Sequence, residues 1–327
     1  MKTYNWGILG TGYIAHKMAE ALPFVSNAKL YAVGSRNIDT AKKFASQYDV
    51  VKSYGSYEEL VKDPDIDIVY VATPHNLHYE NTIMALNHSK HVLCEKPFAV
   101  NGHEVREMIA RAREKNLFLM EALWSRFLPN VIKTKEIIDS GQIGKVKLLK
   151  ADFGLNRPFD PDNRLFNKEL IGGSLLDLGI YPLFLSLFLL GKPERLQAMA
   201  GMGATDVDYN CSFTLGYKDD TLAVLHSSVV AQTDVTATVY GDKGTIVFDN
   251  WWFTPVPVHL VNSKGEKEKI PLDFKGNGYN YEADEVILCL QKNKIQSDLM
   301  SWDHSLLLID TLDAIRKEIG LTYKGHD

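Results

Sequence analysis

Cysteine is scarce. Three thiols, Cys94, Cys211 and Cys289, are spread over 327 residues. That odd, scattered set offers neither a disulfide framework nor a zinc-ligand spacing, and it points to a reducing compartment. Positive charge is also in short supply, with 36 Lys and Arg against 41 Asp and Glu, a net charge of −5 and no basic run. A nucleic-acid or anionic-membrane partner is therefore not expected. Long apolar stretches are missing too. The longest, Ile180 to Leu190, is about half of what spans a bilayer, and Pro182 interrupts it. No leader pattern opens the chain, which runs from Met1 to Gly10 straight into a folded-looking sequence. The expectation is a cytoplasmic globular protein, too long for one ordinary core and so of two domains.

The N-terminal part alternates strand and helix. Asn5–Leu9 reads as a buried strand, and Gly10-Thr11-Gly12-Tyr13-Ile14-Ala15 leads from it into a helix. This is the G-x-G-x-x-A form of the dinucleotide fingerprint in its required setting, with a strand before it and a helix after it. Gly10 permits the turn, Gly12 admits a pyrophosphate to the backbone, and Ala15 lets helix and strand approach. The second strand, Lys29–Val33, ends in Gly34-Ser35-Arg36. An NAD site expects an acid there for the ribose hydroxyl. Ser35 and Arg36 suit a 2′-phosphate instead, so NADP(H) is favoured, with NAD(H) still open.

Further strands at Ile66–Ala72, His91–Cys94 and Leu117–Met120, with helices between them, imply a parallel, doubly wound α/β sheet. The strand at 91–94 stops at Glu95-Lys96-Pro97, where proline restricts the lysine before it. On this pattern Lys96 is either a salt-bridged surface residue or a catalytic cation. His75 and His78, in Thr73-Pro74-His75-Asn76-Leu77-His78, have no third ligand at metal spacing. They are read as lining the cofactor groove, and no metal is expected.

After Glu121 the pattern changes, which places the boundary between residues 1–122, the dinucleotide-binding domain, and 123–327. A long polar loop runs to Leu170, Gly172-Gly173 follows, and Leu175–Leu190 reads as one apolar helix. Asp177 and Tyr181 lie four residues apart on it and so share a face. A carboxylate among Leu, Ile and Phe is costly to bury without a partner. The alternative is a surface acid beside an ordinary core tyrosine. Between Glu194 and Ile270 the text is strand-like with short connections, predicting a large, mostly antiparallel open sheet in a C-terminal α+β domain. Two helices, Glu282–Lys292 and Asp303–Ile319, end the chain, the last able to pack back on the N-terminal domain. Trp124 and Phe153 are candidate apolar walls for a ring-shaped substrate.

Together, the G-x-G-x-x-A turn, Thr73–His78, Glu95-Lys96-Pro97 and Gly172-Gly173 with Asp177 and Tyr181 resemble the Gfo/Idh/MocA oxidoreductase family over nearly the whole chain. Glu121–Pro129 and Gly173–Tyr181 look most like its dimeric dihydrodiol dehydrogenase and NADP-dependent D-xylose dehydrogenase branch. The resemblance implies hydride transfer between nicotinamide and a secondary alcohol or carbonyl of a sugar, polyol or cyclic diol. It implies Lys96 as catalytic lysine with Tyr181 and Asp177 opposite it across an interdomain cleft, and a homodimer formed through the C-terminal sheet. Glu95, Trp124 and Arg126 join the fingerprint residues, Ser35, Arg36 and the 73–78 stretch as cofactor contacts. Lys96, Trp124, Phe153, Asp177 and Tyr181 face the substrate. Many relatives carry histidine at the position of Tyr181, so the proton acceptor stays open between Tyr181 and Asp177. The competing class is a non-catalytic NADP-binding sensor of the same fold.

Overall fold

Short buried strands separated by amphipathic helices assemble the first half of the chain as the alternation predicts. In the computed structural model, which describes residues 2–327, the order is β1 (Tyr4–Leu9), α1 (Tyr13–Ala21), β2 (Ala28–Gly34), α2 (Ile38–Ala45), β3 (Lys52–Tyr54) and α3 (Tyr57–Lys62). Then come β4 (Ile68–Val71), α4 (His78–Asn87), β5 (His91–Glu95), α5 (Gly102–Lys115) and β6 (Leu119–Ala122). The six strands lie in the order β3-β2-β1-β4-β5-β6, every pair parallel. Parallel strands covered on both faces read as continuous apolar runs, and Ile68–Val71 is buried at every position. The order reverses between β1 and β4. Outside the carboxyl ends of the strands at such a switch point is where ligands bind in open α/β sheets.

The second half begins with α6 (Pro129–Asp139) and β7 (Val146–Gly154), and a loop then leads to a π-helical turn, Leu175–Gly179, and α7 (Ile180–Leu190). Seven strands follow: β8 (Arg195–Met202), β9 (Asp208–Gly216), β10 (Leu222–Ser228), β11 (Ala237–Gly241), β12 (Gly244–Phe248), β13 (Val258–Asn262) and β14 (Lys267–Lys269). With β7 they form one sheet, β14-β13-β12-β11-β7-β10-β9-β8, antiparallel except where β7 and β10 run side by side. The chain closes with α8 (Asn280–Gln291) and α9 (Trp302–Ile319).

Backbone contacts gather the chain into two units, one of residues up to Phe127 with Lys275–Leu306, the other of Leu128–Phe274 with Leu307–Asp327. The sequence reading instead cuts after residue 122, with the final helix able to pack back on the first domain. The difference is physical: Trp302 donates its indole N–H to the Leu119 carbonyl, and the Asn277 amide donates to the Lys17 carbonyl, so the 275–306 segment is sewn to the parallel sheet and to α1.

A second difference lies in the apolar helix expected over 175–190, which starts with a widened turn. Pro182 has no N–H for the Leu178 carbonyl and its ring crowds that site, so an α-helical ladder cannot run straight through; the turn just before it absorbs the mismatch. The helical stretch Lys168–Leu190 is long and apolar enough to cross a membrane by length and composition, yet 89% of its most apolar window is buried inside the fold. It is a core helix.

Candidate active site

The turn after β1 builds an anion cradle. Gly10 has φ +106°, and a Cβ there would stand 2.6 Å from the Ala72 carbonyl oxygen, so only glycine fits. Gly12 differs: a Cβ on it would meet nothing within 4 Å. Its face is open space at the head of α1, whose N-terminus has no side-chain cap and no acidic residue in its first turn. Unsatisfied amides and the positive helix end together favour a phosphate there. Thr11, Tyr13 and Ile14 belong to the same turn, and Tyr13 is 76% exposed. At the end of β2, Ser35 is buried beneath the turn and Arg36 is exposed beside it. These residues fit a dinucleotide.

The end of β5 is crowded with carboxyls. Glu95 is buried, accepting from the Tyr70 hydroxyl and, at 3.2 Å, from the amide of Lys96. Lys96 is half-buried and is joined to Pro97 by a cis peptide bond. Glu282 of α8 is wholly buried with neither carboxyl oxygen hydrogen-bonded, and burial, then the charge of Glu95, pushes its pKa well above the ordinary glutamate value. Burial likewise raises Glu121 to about 7, against hydrogen bonds from Ser305 and the Phe98 amide and the attraction of Lys96. Burial thus favours the protonated form of both carboxyls beside Glu95.

The 73–78 stretch is unevenly covered. His78 is wholly buried, its ring nitrogens 2.7 Å from the Pro97 carbonyl and 2.9 Å from the Thr73 carbonyl. Burial lowers its pKa to about 4, and the neutral ring, with a single N–H, donates to one of these two carbonyls, between the turn after β4 and the corner after β5. Thr73 is also buried and accepts from the Asn81 amide at 3.1 Å. Pro74, His75 and Asn76 are only partly covered. Arg126 is buried and its Nε donates to the Leu299 carbonyl at 2.8 Å. Trp124 stacks on Tyr279, ring centroids 4.4 Å apart and planes 10° apart.

In the second unit the π-turn carries Asp177, buried, and the loop before it supplies the partner that the sequence did not name. Arg164 holds Asp177 by two hydrogen bonds, at 2.9 Å and 3.2 Å. Bidentate geometry of this kind fixes a carboxylate in orientation as well as charge. Tyr181, on α7, packs among aromatics: its ring is 5.7 Å from Phe153 edge-on and 4.9 Å from Phe253. Phe153 and Phe253 stack at 4.2 Å, and Trp251, 43% exposed, meets both edge-on. Hydrogen bonds from distant residues hold this wall. The Trp252 indole donates to the Asp152 carbonyl at 3.0 Å, while the Asp152 carboxylate accepts from Thr233, Val235 and Thr236. The 251–253 corner is thereby pinned beside the end of β7.

Arg164, Trp251, Phe253 and Tyr279 were missed by sequence reasoning. The aromatic triple Trp251-Trp252-Phe253 was a visible signal; Arg164, one polar residue in a polar loop, carried none.

Comparison with known proteins follows the same division. Residues 4–123 match the model of the oxidoreductase family with NAD-binding Rossmann fold, and residues 131–247 match the GFO/IDH/MocA C-terminal domain. The trans-1,2-dihydrobenzene-1,2-diol dehydrogenase of Xenopus laevis is 39% identical over 330 residues, covering 98% of this chain and 99% of that protein. The enzyme of the same name from Homo sapiens is 36% identical over 331 residues, covering 98% of each. Among solved structures, aldose-aldose oxidoreductase from Caulobacter crescentus, complexed with glycerol, superposes with a TM-score of 0.87 at 25% identity, covering 97% of each chain. A nucleotide cradle, a lysine at the end of β5 and matches along the whole length lead to one assignment: the chain belongs to the Gfo/Idh/MocA family of NAD-binding oxidoreductases.

Proposed function

We infer that the protein is an NADP(H)-dependent dehydrogenase or reductase of a ring-bearing vicinal diol, polyol or sugar. The observation that carries this reading is that one unit offers an open phosphate cradle at Gly12 and the other an aromatic cluster, Phe153, Tyr181, Trp251 and Phe253, and the Arg164–Asp177 pair. Apolar rings suit the face of a cyclic substrate, and a buried carboxylate suits its hydroxyls. Relatives at 36% and 39% identity are named for a cyclic trans-diol, which agrees with that wall. Arg36, exposed where an NAD site carries an acid, favours the 2′-phosphate.

When bound, the nicotinamide supplies the acceptor or donor of hydride; the side chains do the rest. Lys96 donates a hydrogen bond to the reacting oxygen and stabilises alkoxide charge as it develops. Tyr181 takes up or gives the hydroxyl proton, and Asp177, oriented by Arg164, holds the neighbouring hydroxyl. The open sheet exposes Met199, Leu222, Val224 and Tyr240 on strands β8, β10 and β11, which supports pairing of two copies through that face. Three buried thiols fit a reducing, cytoplasmic setting.

The test is a screen of NADP⁺ and NAD⁺ reduction with cyclic trans-diols, pentoses, hexoses and inositols, alongside NADPH oxidation by the matching dicarbonyls. The reading expects turnover with at least one cyclic diol and a higher kcat/KM for NADP⁺ than for NAD⁺. Binding of NADPH without turnover on any of them contradicts it.

A further inference from the structure

We propose that Asp208 is the positioning residue for Asp177: its buried carboxylate locks the entry of the π-turn and, through it, the Arg164–Asp177 pair. The inference rests on the reading of Asp177 as a substrate-binding group. Asp208 opens β9 and is wholly buried. One of its oxygens accepts from the Ser174 hydroxyl at 2.8 Å and from the Leu175 amide at 2.7 Å, the two residues through which the chain enters the turn bearing Asp177. The Ser174 hydroxyl also meets Ser227 Oγ, on β10, at 3.0 Å. The carboxylate thus caps a helix start that lacks a cap of its own, and ties it to two strands.

The other carboxyl oxygen, Oδ1, is buried without a hydrogen bond and lies against Gly173, where a Cβ would stand 2.2 Å from it. With φ +121° as well, Gly173 is held to glycine by the acid it touches. Backbone bonds from Gly172 to the Asn167 carbonyl and from Gly173 to the Leu165 carbonyl, both 2.9 Å, join this corner to the loop that carries Arg164. The Tyr323 hydroxyl closes the corner on the Gly172 carbonyl at 2.6 Å. Both halves of the ion pair therefore hang from one acid. Burial raises the Asp208 pKa to about 6, against the Ser174 hydroxyl and the backbone amides that lower it. An apolar residue would avoid that cost, which argues for a positional role.

The experiment compares D208A, D208N and S174A with wild type in the full chain, reading steady-state kinetics for diol and NADP⁺ separately and amide hydrogen exchange over residues 172–179. D208A is expected to lower kcat/KM for the diol by about tenfold or more and leave the NADP⁺ KM unchanged, with faster exchange confined to 172–179. D208N keeps an acceptor for Ser174 and Leu175 and is expected to restore most of the loss at neutral pH. Unchanged exchange at 172–179 in D208A overturns the proposal, as does unchanged diol kcat/KM in a wild type that turns over. If wild type turns over no substrate, the reading of Asp177 fails on its own account and exchange alone decides the role of Asp208. If D208A does not fold, S174A is decisive: faster exchange at 172–179 supports the proposal and unchanged exchange overturns it.

Discussion

Arg164 and Asp177 face each other as a fork on a fork, Nη1 to Oδ1 and Nη2 to Oδ2, the acid buried and the guanidinium half in solvent. This contact turns an acid in an apolar helix from a liability into an oriented group. Arg164→Lys keeps the charge and loses the fork. The expected result is a rise of roughly tenfold in diol KM with little change in NADP⁺ KM. The melting temperature should move little, because an ion pair with one exposed partner contributes about 1 kcal/mol or less. Steady-state kinetics on the purified variant check both.

The two glycines of the fingerprint should respond oppositely. At Gly12 nothing stands within 4 Å of a would-be Cβ and φ is −79°, so Gly12→Val should leave the melting temperature of the free protein near wild type. The side chain would fill the cradle, and NADPH affinity should fall by at least about tenfold. Gly10→Ala combines a positive φ with a clash at the Ala72 carbonyl and should cost about 1–3 kcal/mol of stability. Thermal melts and NADPH fluorescence titrations separate the two.

Arg36→Asp should exchange cofactor preference, lowering kcat/KM for NADP⁺ and raising it for NAD⁺, because an acid repels the 2′-phosphate and accepts from a free ribose hydroxyl. The ratio of the two kcat/KM values is the measurement. A ratio that does not move would remove Arg36 from the site.

Glu282 has a folded pKa raised above its unfolded value of 4.5, by burial first and by Glu95 second. A raised carboxyl pKa means that the folded state holds its proton more tightly than the unfolded chain does. Its contribution to stability is full below the unfolded value and is lost as pH rises towards the folded one. Glu282→Gln removes that dependence. The variant should gain stability relative to wild type steadily from about pH 5 upwards, visible in melting temperatures taken across the range.

Local chemistry made much of this legible in sequence. A strand, a glycine turn and a small residue in a helix are read within a few positions, so Gly10, Gly12 and Ala15 stood out, and Pro97 marked Lys96 in the same way. Asp177 stood out by contrast with its neighbours. What escaped depends on contacts between distant parts of the chain. Arg164 sits in a loop without periodicity, and nothing local points it at Asp177. The π-turn hides in a leucine-rich run that reads as α-helix until the position of Pro182 is weighed. Trp251 adopts a positive φ of 63° and is placed by distant partners, its own amide donating to the Val235 carbonyl and Trp252 to the Asp152 carbonyl. The burial of His78 and Arg126 was not legible either, because their backbone-carbonyl partners, Pro97 or Thr73 for the one and Leu299 for the other, are set by the fold.

The most direct test of the account is the turnover of Lys96→Met, measured beside its NADPH dissociation constant. Loss of the ammonium removes the stabilisation of the alkoxide but not the phosphate cradle at Gly12. The expected result is a kcat reduced by about a thousandfold with NADPH Kd within roughly twofold of wild type. A Lys96→Met enzyme that turns over at near the wild-type rate would contradict it.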